Sequence, residues 1–348
     1  MNLKIAGGCG EHGRNCFLVE SGCTFIVDCG IMAGSDDPYP RLSRDEIQKA
    51  EYVFLTHSHA DHTGALPWLY QNGFRGRVTA SESTLKQLPF TVNDPIAIDE
   101  ICSGKSARLN GISFEYGRSG HCKGSVWYHF HTDDGSVLFS GDYTEHSIVY
   151  NCDKIRGRKA DIAVIDCAYG YDERSFSQCC DEILSEVKTQ KKTYGTLFFP
   201  VPKYGRGVEL LKLFRENLPH MKCGGDGHFI NQVQSISPHD CWYSCEKITE
   251  IPCSSAEKSD IFFISDPQLR STDSRSISEE IIRNGGFGIM TGTVESGTYS
   301  KELIDSGVMK QLRYPVHQNY SEFRLLAEMN DFKRIIPYHS EEITSADL

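Results

Sequence analysis

The densest chemistry in the chain lies in residues 56–69, THSHADHTGALPWL, where an apolar run over residues 52–55 ends and delivers His57, His59, Asp61 and His62 close together. Residues two apart at a strand end point the same way, so His57 and His59 can chelate one ion while Asp61 and His62 turn towards a neighbouring one. Imidazoles clustered with a carboxylate suit Zn²⁺, with Mn²⁺ and Fe²⁺ as alternatives. Gly64 permits close backbone approach, and Pro67 fits an early helical position after the loop. The competing reading is a polar loop rich in His by chance, and the local density of imidazole weighs against it.

Other signals stand in order along the chain. Gly120-His121 follows a strand-like segment, Asp142 lies in Phe139-Ser140-Gly141-Asp142-Tyr143-Thr144, and Asp28 lies in Val27-Asp28-Cys29-Gly30. Taken singly, each reads more readily as a turn residue. Together with H-x-H-x-D-H they resemble the metallo-β-lactamase superfamily. Gly8-Cys9-Gly10-Glu11-His12-Gly13-Arg14-Asn15 is similar to the N-terminus of ribonuclease J and its β-CASP relatives, nucleases with a second domain inserted into the metallo-β-lactamase core. Val164-Ile165-Asp166-Cys167-Ala168-Tyr169-Gly170 resembles that family's motif A. The strand, loop and helix around Pro200-Val201-Pro202-Lys203-Tyr204-Gly205-Arg206-Gly207 resemble the opening of its inserted domain. His317, before Tyr320-Ser321-Glu322, resembles motif B, and Pro337-Tyr338-His339-Ser340-Glu341 resembles motif C. Cys167-Ala168 departs from the small hydroxyl residues common in motif A, as His339-Ser340 does from His-Gly in motif C. The chain stops soon after motif C, so the C-terminal domain of longer ribonuclease J proteins is expected to be missing, which leaves a homodimer open.

The resemblance implies an α/β fold: a metallo-β-lactamase αββα sandwich from residues 1–167 and 306–348, with a β-CASP domain from 168–305 inserted. It implies two divalent metal ions, one held by His57, His59 and His121 and the other by Asp61, His62 and His339. Asp142 would bridge them, and Asp28 would accept a hydrogen bond from a ligand imidazole. Asp166 and His317 would form a dyad that protonates the leaving oxygen, and with Asp61 they complete the expected catalytic set. The implied reaction is hydrolysis of phosphodiester bonds, in RNA rather than DNA, because a His at motif C is similar to the RNA-processing branches. One rival is a hydrolase of small esters, thioesters or lactones on the same core. The other is an inactive nucleic-acid-binding homologue.

Lys203 and Arg206 on a Gly-containing loop, with Thr291, Thr293 and Ser296 in a second, could hold substrate phosphates, or be solvated turns. Cys223, His228, His239, Cys241, Cys245 and Cys253 fit no firm zinc spacing and read as scattered thiols.

The elements that must position these groups belong to an ordinary globular chain. The 348 residues include 36 Lys+Arg and 47 Asp+Glu, a net charge of −11, which excludes a protein that coats nucleic acid through bulk positive charge. Contact with a single strand must then be local, in a narrow cleft. No apolar run is long enough for a membrane helix, no N-terminal run reads as a signal peptide, and the 14 Cys are scattered without one. The expectation is a cytoplasmic protein with no membrane partner and reduced, buried thiols. Short apolar runs predict strands over residues 16–19, 24–27, 52–55, 112–116, 126–130, 137–139, 162–165, 196–199, 288–290 and 334–337. Helices are predicted from a Ser177 cap to about Lys188, from Gly207 with Leu211, Phe214 and Leu218 on one face, and after Ser321. Residues 223–274 are weakly periodic and read as loops and short strands.

Overall fold

The computed structural model describes residues 1–237, 239–244 and 252–343. The chain divides into two units: one comprises Met1–Glu145, Cys152–Glu173 and Val316–Leu348, the other His146–Asn151 and Arg174–Pro315.

Alternation with a period of two builds the first unit. Its strands are β1 (Asn2–Gly7), β2 (Cys16–Ser21), β3 (Cys23–Val27), β4 (Tyr52–Phe54), β5 (Arg77–Ala80) and β6 (Ile96–Ala97). After them come β7 (Ser106–Leu109), β8 (Ile112–Arg118), β9 (Val126–Thr132), β10 (Gly135–Phe139), the short β11 (Lys159–Ala160) and β12 (Ile162–Asp166). The second unit supplies β13 (Leu197–Pro200), β14 (Cys223–Gly225), β15 (Ile261–Ile264), β16 (Phe287–Met290) and β17 (Met309–Gln311). The chain then returns to the first as β18 (Asp331–Phe332) and β19 (Ile335–Tyr338).

In the first unit, one sheet runs β1-β2-β3-β4-β5-β6 and the other β19-β12-β10-β9-β8-β7. Alternate residues of both meet in an aromatic layer, where Phe25 and Phe54 lie 4.7 and 4.8 Å from Phe130 and Phe17 lies 5.5 Å from Phe139. The opposite parity of the first sheet, Leu18, Ile26, Val53 and Val78, packs on Ile47, Leu66 and Leu69 from helices Arg44–Lys49 and Leu66–Gln71. In the second sheet Trp127, Leu138, Ala163 and Ile165 pack with Phe323 and Leu326 of helix Tyr320–Glu328. This is a helix-sheet-sheet-helix sandwich, the α/β class expected. Burying both faces of short strands in this way supplies the main driving force, roughly 25 cal/mol per Å² of apolar surface.

The second unit holds a parallel sheet in the order β14-β15-β13-β16-β17. Its first long helix, Phe176–Gln190, turns Cys180, Ile183, Leu184 and Val187 inward, and its cap lies two residues before the predicted Ser177. Ser175 is the N-cap, accepting from the Gln178 N–H while the Gln178 side chain accepts from the Ser175 N–H. Helix Arg206–Asn217 starts at a Gly205 with φ +100°. The described residues between 223 and 274 hold more regular structure than expected: besides β14 and β15 they include helix Gly227–Gln234, and helix Thr272–Arg283 starts among them. Both helices rest on caps that hydropathy does not register, Asp226 accepting from Phe229 N–H and Ser271 from Ser274 N–H.

Among the described residues no helix is long and apolar enough to cross a membrane. The cysteines among them are free, and Cys16, Cys23, Cys29, Cys122, Cys167, Cys179 and Cys180 are buried.

Candidate metal centre

The site grows from strand ends in the first unit. At the end of β3 the chain turns through Asp28 at φ +57°, a left-handed conformation that Asp tolerates better than most residues. The turn aims its carboxylate across the end of β4. There Thr56 N–H donates to Asp28 Oδ1 at 2.7 Å, Thr56 Oγ1 donates to Oδ2 at 2.8 Å, and His62 Nδ1 lies 2.7 Å from Oδ2. A carboxylate can only accept, so His62 carries its proton on Nδ1 and turns the Nε2 lone pair inward. Asp28 is fully engaged, and burial raises its pKa while His62 and Thr56 hold it down.

Two glycines make room for the approach. A Cβ on Gly30 would sit 1.6 Å from the Asp61 carbonyl oxygen. Gly120, at φ +80° with the Thr144 carbonyl 2.2 Å from where a Cβ would be, delivers His121. His121 Nδ1 lies 2.9 Å from the Val316 carbonyl oxygen, so it donates there, and its Nε2 lone pair faces Asp142 Oδ2 at 3.5 Å.

Asp142 is the meeting point. His57 Nε2 lies 3.5 Å from its Oδ2, and His62 Nε2 and His339 Nδ1 lie 3.1 and 3.3 Å from its Oδ1. Asp61 Oδ2 is 3.7 Å from His62 Nε2 and 3.2 Å from His339 Nε2. The ligating atoms of His57, His59, His121 and Asp142 lie within 4.8 Å of one another, as do those of Asp61, His62 and His339. A third such group joins Asp142, Asp166, His317 and His339.

These contacts pair acceptor with acceptor. Among the described residues His57 Nε2 and both ring nitrogens of His339 are buried without a hydrogen-bond partner, and His62 Nε2 faces a carboxylate. Such an arrangement is costly unless a cation stands among the groups. The charges agree. Burial opposes ionisation of Asp61 and Asp142, yet His62 and the surrounding imidazoles hold both well below the usual carboxylate range. Burial pushes His121 down to about 3 and His57 well below the usual imidazole range. His62 and His339 move the other way, because Asp142 and its neighbours outweigh their burial. Carboxylates held ionised, and imidazoles of which His62 and His339 take up positive charge beside them, converge on one volume, an arrangement that fits divalent metal ions.

Beside this cluster, Asp166 Oδ2 lies 2.7 Å from His317 Nδ1 and also accepts from Tyr143 N–H at 3.0 Å. The carboxylate fixes the imidazole tautomer, and His317 Nε2 points to within 3.9 Å of Asp142 Oδ2. Burial opposes ionisation of Asp166, but His317 holds its pKa below the usual range. The structure therefore brings together His57, His59, Asp61, His62, His121, Asp142, Asp166, His317 and His339, with Asp28 behind them.

Several contributors escaped sequence reasoning. Asn15 Nδ2 lies 2.9 Å from His62 Nε2, and Tyr338 OH donates to Asp142 Oδ1 at 3.1 Å. Tyr169 lies edge-on to His317 at 5.1 Å, and Gln318 Nε2 donates to the Asp166 carbonyl oxygen at 2.6 Å. His12 stacks on His339 with ring centroids 4.3 Å apart. Thr56, Tyr338 and Gln318 adjoin motif residues, the one signal available; Asn15 and His12 lie in the motif-like N-terminal run.

In the second unit Lys203, Thr293 and Ser296 are exposed, whereas Thr291 is buried. Arg206 Nη1 donates to the Thr291 carbonyl oxygen, and its guanidinium lies against Gly292, where a Cβ would meet Nη1 at 2.0 Å. Part of its donor capacity thus braces the loop. Among the described residues, Cys223, His228, His239, Cys241 and Cys253 enter no three-ligand group, and Cys245 lies outside them.

The sandwich and the His/Asp cluster at its strand ends define a metallo-β-lactamase domain. Residues 9–163, a little under half of the chain, match the model of the metallo-beta-lactamase superfamily. It is similar to a protein named transcription termination factor FttA of Methanothermobacter thermautotrophicus, 27% identical over 62% of this chain and 39% of the relative. It is similar also to "Ribonuclease TTHA0252" of Thermus thermophilus, 23% identical over 66% of this chain and 59% of the relative. A third relative, cleavage and polyadenylation specificity factor 73 of Drosophila melanogaster, is 24% identical over 62% of this chain and 36% of its own length. The matched region thus spans between about a third and three fifths of these relatives. A solved Enterococcus faecalis protein of unknown function shares the fold with TM-score 0.62 and 12% identity, over 99% of this chain and 95% of that one.

Proposed function

We propose that the protein is a β-CASP-type metal-dependent ribonuclease acting on single-stranded RNA in the cytoplasm. The observation that carries this reading is Asp142 standing between two His/Asp groups, with the Asp166–His317 pair beside it. A hydrolase of small esters needs no such second acid pair. The names of the relatives, which include a ribonuclease, support RNA as the substrate.

In this reading His57, His59 and His121 would hold one divalent ion and Asp61, His62 and His339 the other, with Asp142 available to both. Zn²⁺ suits the donors best, with Mn²⁺ and Fe²⁺ as alternatives. When bound, such a pair of ions supplies polarisation of a phosphoryl oxygen and a water of lowered pKa for in-line displacement. The chain's own residues do the rest. Asp28 keeps the His62 lone pair aimed inward, and the Val316 carbonyl does the same for His121. Asp61 orients the attacking water as well as ligating. Asp166 holds His317 with Nε2 towards the reacting phosphate, so that a proton on Nε2 passes to the leaving oxygen. Lys203, Arg206, Thr293 and Ser296 contact substrate phosphates, and Thr291, being buried, shapes the loop.

The test is incubation of the protein with single-stranded RNA and DNA labelled at either end, with and without chelator, alongside elemental analysis. Cleavage of RNA that chelator abolishes and close to two transition-metal ions per chain are expected. A folded protein that carries no metal and leaves RNA intact would overturn the proposal.

A further inference from the structure

We infer that His12 is a substrate-positioning residue whose Nε2 accepts a hydrogen bond from a ribose 2′-hydroxyl beside the scissile phosphate. The inference rests on the ribonuclease reading above and adds a specificity residue to it.

His12 sits on the loop between β1 and β2, and that loop is tied to the metal centre. Glu11 accepts from Gly8 N–H at 3.0 Å and from Arg14 Nε and Nη2 at 2.8 and 2.7 Å. Asn15 N–H donates to the Asp61 carbonyl oxygen at 2.9 Å, and His339 N–H donates to that of Gly8 at 2.6 Å. The loop therefore presents His12 in a fixed place rather than as a loose surface side chain.

His12 keeps solvent exposure as a residue, while its imidazole lies within 16° of the plane of His339 and has its Nδ1 3.1 Å from the His339 carbonyl oxygen. A carbonyl oxygen can only accept, so Nδ1 carries the proton. In the neutral ring Nε2 is then a lone pair. Among the described residues no protein group pairs with it.

A lone pair held one ring away from a ligand imidazole meets what is bound there. Phosphate oxygens are acceptors too, and are refused. Of the groups joined to a scissile phosphate, the neighbouring 2′-hydroxyl is a donor that RNA carries and DNA lacks. A rigid acceptor at this position selects ribose by hydrogen bonding, without reading the base.

The test compares wild type with His12→Ala and His12→Gln on one single-stranded RNA and on matched oligomers in which one 2′-hydroxyl at a time is replaced by hydrogen. Metal content and circular dichroism are recorded for each protein. One deoxy position is expected to lower wild-type kcat/KM about three- to tenfold, the usual range for one neutral hydrogen bond. His12→Ala should lose a similar factor on the all-ribose strand and nothing further at that position, while His12→Gln, which keeps an acceptor, recovers part of the loss. An equal loss on every oligomer would mean that His12 only steadies His339. Loss of metal would make it a ligand, and no change on any oligomer would leave it without a role, so each of these overturns the inference. Failure of the wild type to cleave RNA would instead remove the ribonuclease reading, and the inference with it.

Discussion

His59→Ala and Asp142→Asn each delete a group from the His/Asp cluster, so both variants are expected to release metal and lose activity together. His317→Ala should keep its metal and lose mainly rate, by about 10²–10⁴-fold, because a positioned general acid contributes on that scale. Elemental analysis beside turnover separates the two, and metal loss from His317→Ala equal to that from His59→Ala would make the Asp166–His317 pair a ligand pair. A residue outside the cluster also contributes to acid stability. His129 on β9 is 3% exposed, neither ring nitrogen has a hydrogen-bond partner among the described residues, and burial, with His131 beside it, pushes its pKa down to about 4 from an ordinary 6.5. The folded state thus refuses a proton that the unfolded chain accepts. Its contribution to stability is complete above about pH 6.5 and is lost as the pH falls towards 4. Urea midpoints measured from pH 7 to 4.5 should fall, and less steeply in His129→Phe.

The same packing logic sets the consequences for strands and helices. Phe54 is fully buried and contacts Phe25, Phe114, Tyr128 and Phe130, so Phe54→Ala should cost about 3–5 kcal/mol in a denaturant titration. Ser175→Ala, which removes one side of a capping box, should cost only about 1 kcal/mol in the same titration. The contrast reflects what a sequence makes legible. Strands such as β3, β9 and β12 declare themselves because both their faces are buried and their apolar runs are short. Helix Gly227–Gln234 does not, since its order depends on one Asp226 cap and on Phe229 stacking on Phe263 at 4.3 Å, a residue far along the chain. In the site, the His and Asp residues stand out because their types are rare in clusters. Asn15, Tyr338 and His12 are inconspicuous because their meaning arises only when the turns at Asp28 and His339, both at positive φ, bring three loops to one point.

For the molecule as a whole, the charge of −11 limits how the proposed substrate is held. Few Lys or Arg contacts displace few counterions, so an inactive variant such as Asp142→Asn should bind single-stranded RNA with a log–log salt slope of roughly −1 to −3, at about −0.7 per neutralised phosphate. A slope near −6 would mean a broad basic surface instead. The order of the chain has an effect of another kind, on how the protein comes into being. Asp166 and His317 meet across 151 positions, with the second unit threaded between them, and β12, already paired with β10, gains its second parallel partner in β19. At about 5–20 residues per second, a ribosome needs roughly 8–30 s to travel from the first of these residues to the second, and His339 emerges later still. Throughout that interval the nascent chain holds His57, His59 and Asp142 without the acid pair or the last imidazole. Until His317 and His339 have emerged, the proposed reaction lacks both its acid and its last imidazole, so a nascent chain that stops short of them is expected to leave RNA intact.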